Sequence, residues 1–221
     1  MKKLLSTTLI ALGLLAGAVS SAQAQNAAAG EKKAAMCIGC HGIPDYKASF
    51  PEVYRVPKIS GQNAKYIVGA LTAYKKGDRH HPTMHAIATS LSEQDMADLA
   101  AFYSTHGIDA NDKAPAQLAS PPEASIATLI TKGACASCHG ANFSTPIDPS
   151  YPKLAGQHPD YLYMALKEYA TPGAPLYGRN HPIMGAQVKA FTHPELQEIA
   201  KYIAAQPGEL KTVQQAHFRF D

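Results

Sequence analysis

The sequence predicts an all-α protein built as two tandem copies of one small helical unit, and three observations carry that prediction. Residues 37–41 and 135–139 both read Cys-x-x-Cys-His. The stretches around them match as well: Pro57-Lys58-Ile59-Ser60-Gly61-Gln62 with Pro152-Lys153-Leu154-Ala155-Gly156-Gln157, and Arg79-His80-His81-Pro82-Thr83-Met84 with Arg179-Asn180-His181-Pro182-Ile183-Met184. Between these motifs apolar residues recur at helical spacing, and no segment makes a convincing sheet.

At the N-terminus, Lys2 and Lys3 precede an apolar stretch from Leu4 to Val19, and Ala22-Gln23-Ala24 follows as a small-x-small cleavage pattern. This is the pattern of a signal peptide over residues 1–24, removed to start the mature chain at Gln25. The apolar run is short for a membrane span and is broken by Gly13 and Gly17. No cysteine follows the cleavage site, which argues against a lipid anchor, and no later segment reads as transmembrane. Any membrane contact is therefore expected to be peripheral. Losing Lys2 and Lys3 lowers Lys plus Arg from 20 to 18 against 17 acidic residues, a net charge of +1. That balance offers no basic patch for nucleic acid.

The mature chain divides into a first domain, 25–106, a linker rich in Ala, Pro, Asp and Asn, 107–123, a second domain, 124–206, and a tail, 207–221. Each domain opens with a helix leading into its cysteine motif, Ala27 to Cys37 and Ser125 to Ala134. The middle helix spans Asn63 to Lys75, with Ile67, Leu71 and Tyr74 on one face, and Pro159 to Tyr169 repeats it. Ser92-Glu93-Gln94-Asp95 resembles a capping box opening a helix that turns Met96, Leu99, Ala100 and Tyr103 inward. Thr192-His193-Pro194-Glu195 opens its counterpart, with Leu196, Ile199, Ala200 and Ile203 inward. The tail, with Phe218 and Phe220 beside Arg219, has no partner in the first half; a helix or a surface strap is expected there.

Cys-x-x-Cys-His is the attachment motif of c-type haem: two thiols add across the haem vinyl groups, and the histidine reaches the iron as proximal ligand. A zinc site would bring two cysteine knuckles together over a short gap, whereas Cys40 and Cys135 are separated by most of a domain. A thioredoxin-like centre would sit at a strand end in a βαβ unit. Neither alternative explains a histidine after both pairs. Cys37, Cys40, Cys135 and Cys138 are the four cysteines of the chain, so the expected cofactors are two covalent haem c groups, with His41 and His139 as proximal ligands.

The sixth ligand separates a carrier from a catalyst, because a thioether closing the iron raises its potential and leaves no open position. Met84 and Met184 are the methionines that the duplication pairs. Met36 abuts the first motif, and Met96 and Met164 sit at core spacing. The rival pair is His81 and His181, also matched; otherwise these two cap the loop or reach a propionate. Both methionines are expected in loops after the middle helix. Arg79 and Arg179, matched and close by, are candidates for propionate neutralisation or contact between the domains. Lys75, Lys76, Arg79, His80 and His81 form a local basic rim.

With the double Cys-x-x-Cys-His, the two Pro-x-(Ile/Leu)-x-Gly-Gln stretches and the paired methionines, the chain resembles the di-haem cytochrome c4 family to about residue 206. The resemblance implies two class I cytochrome c folds with their haems close together and His/Met ligation at both irons. It also implies that the carbonyls of Pro57 and Pro152 orient His41 and His139. Class I folds often place a Gly in the first helix where an aromatic of the last helix crosses; Gly30 with Phe102 or Tyr103 fits, but Thr128 stands in the second half, so a wider crossing is expected there.

These readings converge on an electron carrier, not an enzyme, and the resemblance implies that it works in the periplasm, moving electrons from a quinol-oxidising complex towards a terminal oxidase or reductase. The alternatives are a di-haem subunit of a periplasmic dehydrogenase and, with less support, a haem peroxidase. The last needs an open iron and distal acid/base groups, which the sequence does not supply.

Overall fold

A computed structural model describes residues 25–214; the expected signal peptide and Phe218, Arg219 and Phe220 lie outside the described residues. The first half contains α1 (Ala27–Lys33), α2 (Ala35–His41), α3 (Ala64–Lys76), α4 (Pro82–Thr89) and α5 (Glu93–Thr105). The second contains α6 (Ala124–Lys132), α7 (Cys135–His139), α8 (Pro159–Ala170), α9 (Pro182–Val188) and α10 (His193–Ala205).

The order repeats, but the helix expected to run from Ala27 to Cys37 is divided at Ala34. There a C-cap hydrogen bond to Glu31 closes α1 before α2 begins. In the second half the break is sharper. Gly133 caps α6, and Ala134 is left-handed at φ 46°, so the chain turns before presenting Cys135. A turn at this point lets the cysteine helix take a direction of its own.

Both sequence-read capping boxes form. Ser92 and Asp95 satisfy each other's backbone N–H groups at the start of α5, and Thr192 and Glu195 do so for α10. Each side-chain cap contributes about 1 kcal/mol. The inward faces are the ones the periodicity marked. Met96, Leu99, Ala100 and Tyr103 are buried on α5, and Leu196, Ile199, Ala200 and Ile203 on α10. Burying Leu99 and Leu196 contributes roughly 2 kcal/mol each.

The halves differ where α1 and α6 cross their last helices. A Cβ on Gly30 would lie 2.1 Å from the Asp98 carbonyl oxygen and 2.9 Å from Phe102 Cβ, so only glycine permits this contact. Thr128 is exposed and bonds back to the Ala124 carbonyl at 2.8 Å, and α6 has no buried residue. Above the tight crossing, Asp98 accepts from the Asn26 N–H at 3.0 Å and from Lys33 at 2.7 Å.

Two short antiparallel ladders, absent from the sequence reading, complete the fold. β1 (Lys47–Ala48) pairs with β2 (Tyr54–Arg55) within the first half. β3 (Arg79–His80) pairs with β4 (Gly178–Arg179) between the halves, setting Arg79 opposite Arg179. Two-residue strands carry no periodic signal, which is why they escape a pattern search.

The tail is a strap as far as it is described. Leu210 is buried, the Lys211 N–H donates to the Ser60 carbonyl at 3.0 Å, and Glu209 bonds Lys153 and the Ala114 N–H. It thus ties the second domain's end to the first domain and to the linker.

Candidate functional site

One continuous cavity of about 660 Å³ runs through both domains. It is lined by Cys37, Cys40, His41 and Met84 from the first half and by Cys135, Cys138, His139 and Met184 from the second. The sequence motifs, 98 residues apart (135 − 37), therefore open into the same space.

The histidines come from the last turns of α2 and α7. His41 Nδ1 donates to the Pro57 carbonyl at 2.8 Å, and His139 Nδ1 to the Pro152 carbonyl at 3.1 Å. This fixes each ring's tautomer and leaves Nε2 with its lone pair available to a metal. Burial pushes both imidazoles below their ordinary pKa, against the opposing effect of the proline carbonyls. They are therefore neutral, as a ligand must be. Burial also pushes the thiols of Cys37 and Cys135 up. Paired thiols, a neutral imidazole and a thioether, in a cavity walled by Ile67, Leu71, Leu91, Leu162, Leu166 and Ile199, are a donor set and lining that fit a covalently held haem in each half.

Met84 and Met184 are not in loops. Each sits in the first turn of a short helix, α4 or α9, that starts on Pro82 or Pro182. The preceding residues, His81 and His181, are the N-caps: Nδ1 accepts from the Met84 or Met184 N–H at 3.3 Å. Proline at N1 and a side-chain cap make a rigid helix start. Met96 and Met164 are buried in packing.

Arg79 and Arg179 lie at the junction of the halves, both buried. Their guanidiniums each donate to Tyr161 Oη at 3.4 Å, and Arg79 also donates to Tyr66 Oη at 3.4 Å. Arg79 stacks over Tyr74 at 4.5 Å, and Arg179 over Tyr169 at 5.2 Å. Arg179 Nε donates to Glu168 at 2.5 Å. Burial pushes the Tyr161 hydroxyl up, but the two guanidiniums outweigh it and the net shift is downward. With Arg79 buried and the Lys75 ammonium turned to the Leu91 carbonyl, the basic rim read from the sequence is reduced.

Sequence reasoning matched Gln62 with Gln157 but gave them no role; each proves to bond the other domain's backbone at Lys153 or Lys58. Glu168, whose duplicated position is Ala73, was missed altogether. A carboxylate interrupting an apolar helix face was the available signal.

The fold and the two lined sites define a tandem c-type cytochrome. The cytochrome c family model matches residues 27–107 and 124–206. The chain is 30% identical over 205 residues to cytochrome c4 of Pseudomonas aeruginosa, covering 92% of this chain and 98% of that one. It is also 30% identical to a thiosulfate dehydrogenase electron acceptor of Stutzerimonas stutzeri, covering 79% and 81%. The solved cytochrome c4 of Acidithiobacillus ferrooxidans superposes with a TM-score of 0.58 at 24% identity, over 78% of this chain and 99% of that one. The chain belongs to the di-haem cytochrome c4 family. It is an electron-transfer protein carrying two covalently bound haem c groups.

Proposed function

We propose that Cys37 and Cys40 hold the first haem and Cys135 and Cys138 the second, with His41 and Met84 as axial ligands of one iron and His139 and Met184 of the other. The observation that carries Met over His is the capping role of His81 and His181. Each accepts an N–H at Nδ1, so the neutral ring's proton sits on Nε2 and no lone pair remains there for iron. When bound, the haems supply one-electron redox chemistry. The protein's part is to exclude water, hold the imidazoles neutral and keep the thioethers in place.

Arg79 supports a propionate contact, since its buried Nε has no hydrogen-bond partner among the described residues. A near-infrared sulfur–iron charge-transfer band of full two-haem intensity in the oxidised protein, lost by half in Met84→Ala and in Met184→Ala, is the expected result. A bis-histidine EPR signal in the unsubstituted protein contradicts it.

The chain works in the periplasm after removal of residues 1–24, passing electrons from a quinol-oxidising complex to a terminal oxidase or reductase. Among the described residues no helix is long and apolar enough to cross a membrane; the contact with membrane complexes in this reading is peripheral. A second reading, that the chain serves a periplasmic dehydrogenase as its di-haem cytochrome subunit, is favoured by the relative named as a thiosulfate dehydrogenase electron acceptor. Stopped-flow reduction of the oxidised holoprotein by a quinol-oxidising complex and by thiosulfate dehydrogenase separates the two. The faster donor at equal concentration identifies the physiological route.

A further inference from the structure

Gln62 and Gln157 are both 5% exposed and occupy duplicated positions. Gln157 Oε1 accepts from the Lys58 N–H at 2.9 Å while its Nε2 donates to the Lys58 carbonyl at 2.9 Å. Reciprocally, Gln62 Oε1 accepts from the Lys153 N–H at 2.9 Å and its Nε2 donates to the Lys153 carbonyl at 3.0 Å. Each amide pairs with both backbone groups of one residue in the other domain, as a neighbouring strand would. Its orientation is fixed by a second donor on the same oxygen: the Asn63 N–H for Gln62 and the His158 N–H for Gln157, both at 3.0 Å.

The residue gripped is significant. The N–H of Lys58 and the carbonyl of Pro57 belong to one planar peptide unit, so fixing one fixes the direction of the other. Gln157 holds the N–H end of that plane, and His41 Nδ1 bonds its carbonyl end. The same holds for Gln62, the Pro152–Lys153 plane and His139. Hydrogen bonds in series through an amide also polarise one another, which makes the carbonyl a better acceptor.

We propose that Gln157 is a positioning residue for His41 and Gln62 for His139, so that each domain aligns and electronically tunes the proximal histidine of the other. The proposal rests on His41 and His139 being the proximal ligands. Loosening the peptide plane weakens the Nδ1–H bond, makes the imidazole a poorer donor and disfavours the oxidised iron.

The test uses the two-haem holoprotein with Gln157→Ala and, where that variant fails to retain both haems, Gln157→Met, which keeps the volume without the amide. NMR of the oxidised and partly reduced protein follows each haem's potential and each ring N–H. The expected pattern is crossed. Gln157 variants raise the potential of the first-domain haem more than the second and speed exchange of the His41 Nδ1–H, and Gln62→Ala or Gln62→Met does the converse to the second haem and His139. Equal shifts at both haems, none at either, or a larger shift in the substituted residue's own domain overturns the proposal. If the His41 and His139 ring protons show no hyperfine shift in the unsubstituted protein, the ligand assignment fails instead.

Discussion

Glu168 and Arg179 form a 2.5 Å ion pair in which both side chains are 5% exposed, and the duplication gives Arg79 no such partner, because Ala73 stands where the second half has Glu168. Two buried arginines therefore stand opposite each other across the β3–β4 bridge, and the one carboxylate, Glu168, pairs with Arg179. Glu168→Gln leaves the buried Arg179 guanidinium without its carboxylate. Breaking a buried pair from one side costs about 3–5 kcal/mol, or roughly 10 °C in melting temperature for a protein of this size. The cavity field also becomes more positive, so both haem potentials rise. Thermal unfolding and a redox titration of the same sample check both; an unchanged melting temperature shows that the pair contributes nothing net.

The crossing of α1 and α5 makes a second, asymmetric prediction. Gly30→Ala places a methyl against the Asp98 carbonyl and forces α1 away, an overpacking cost of about 1–3 kcal/mol. At the equivalent position of the second half, Thr128→Gly removes an exposed side chain and costs about 0.5 kcal/mol through helix propensity alone. Urea unfolding of the two variants separates them. Equal losses mean that the crossings do not differ as the structure has them.

Much of this architecture was legible because it is local or repeated. Ser92 with Asp95, and Thr192 with Glu195, announce their helices within four residues, and Leu99 and Leu196 fall on the face that the 3.6-residue period assigns them. The pairing of Met84 with Met184 followed from the duplication, although Pro82 and Pro182, at N1 of helices, should have placed them on helix starts rather than in loops. What escaped was contact between the copies. Nothing near Gln157 in sequence says that it bonds Lys58, ninety-nine residues away, and a repeat aligns equivalent residues without saying which of them meet. The break at Ala134 escaped too, because a left-handed alanine has no sequence signature.

Acid stability of the first domain is expected to depend on Asp98 and Asp95. Hydrogen bonds from Lys33, with help from Gln94 for Asp98 and Ser92 for Asp95, hold both carboxyls below the usual carboxylate range. A group whose folded pKa is depressed adds stability above its unfolded pKa, about 3.9, and loses it as the pH falls through the folded value. The contribution is therefore complete at neutral pH and lost progressively below about pH 4. Asp98→Asn should lower stability at pH 7 and flatten the decline between about pH 5 and pH 2 relative to the unsubstituted protein. Chemical unfolding measured across that range decides it, and parallel curves for the two proteins would sink the assignment.

The C-terminal strap carries the last prediction. Leu210 is 4% exposed although it lies beyond the last helix, and its neighbours tie it down on both sides. Lys211 bonds the Ser60 carbonyl, the Gly107 carbonyl and Asp112, and Glu209 bonds Lys153. Ser60 and Lys153 belong to the two loops that carry Pro57 and Pro152, so the strap bears on the carbonyls that His41 and His139 bond. Leu210→Ala should cost about 2–5 kcal/mol, as a buried leucine truncation does, where a loose tail would give a change within about 0.5 kcal/mol. Because the strap reaches across the domains, the loss should appear in one cooperative transition seen by both haem absorbance and far-ultraviolet dichroism. Separation into two transitions would mean that the strap stabilises one domain alone.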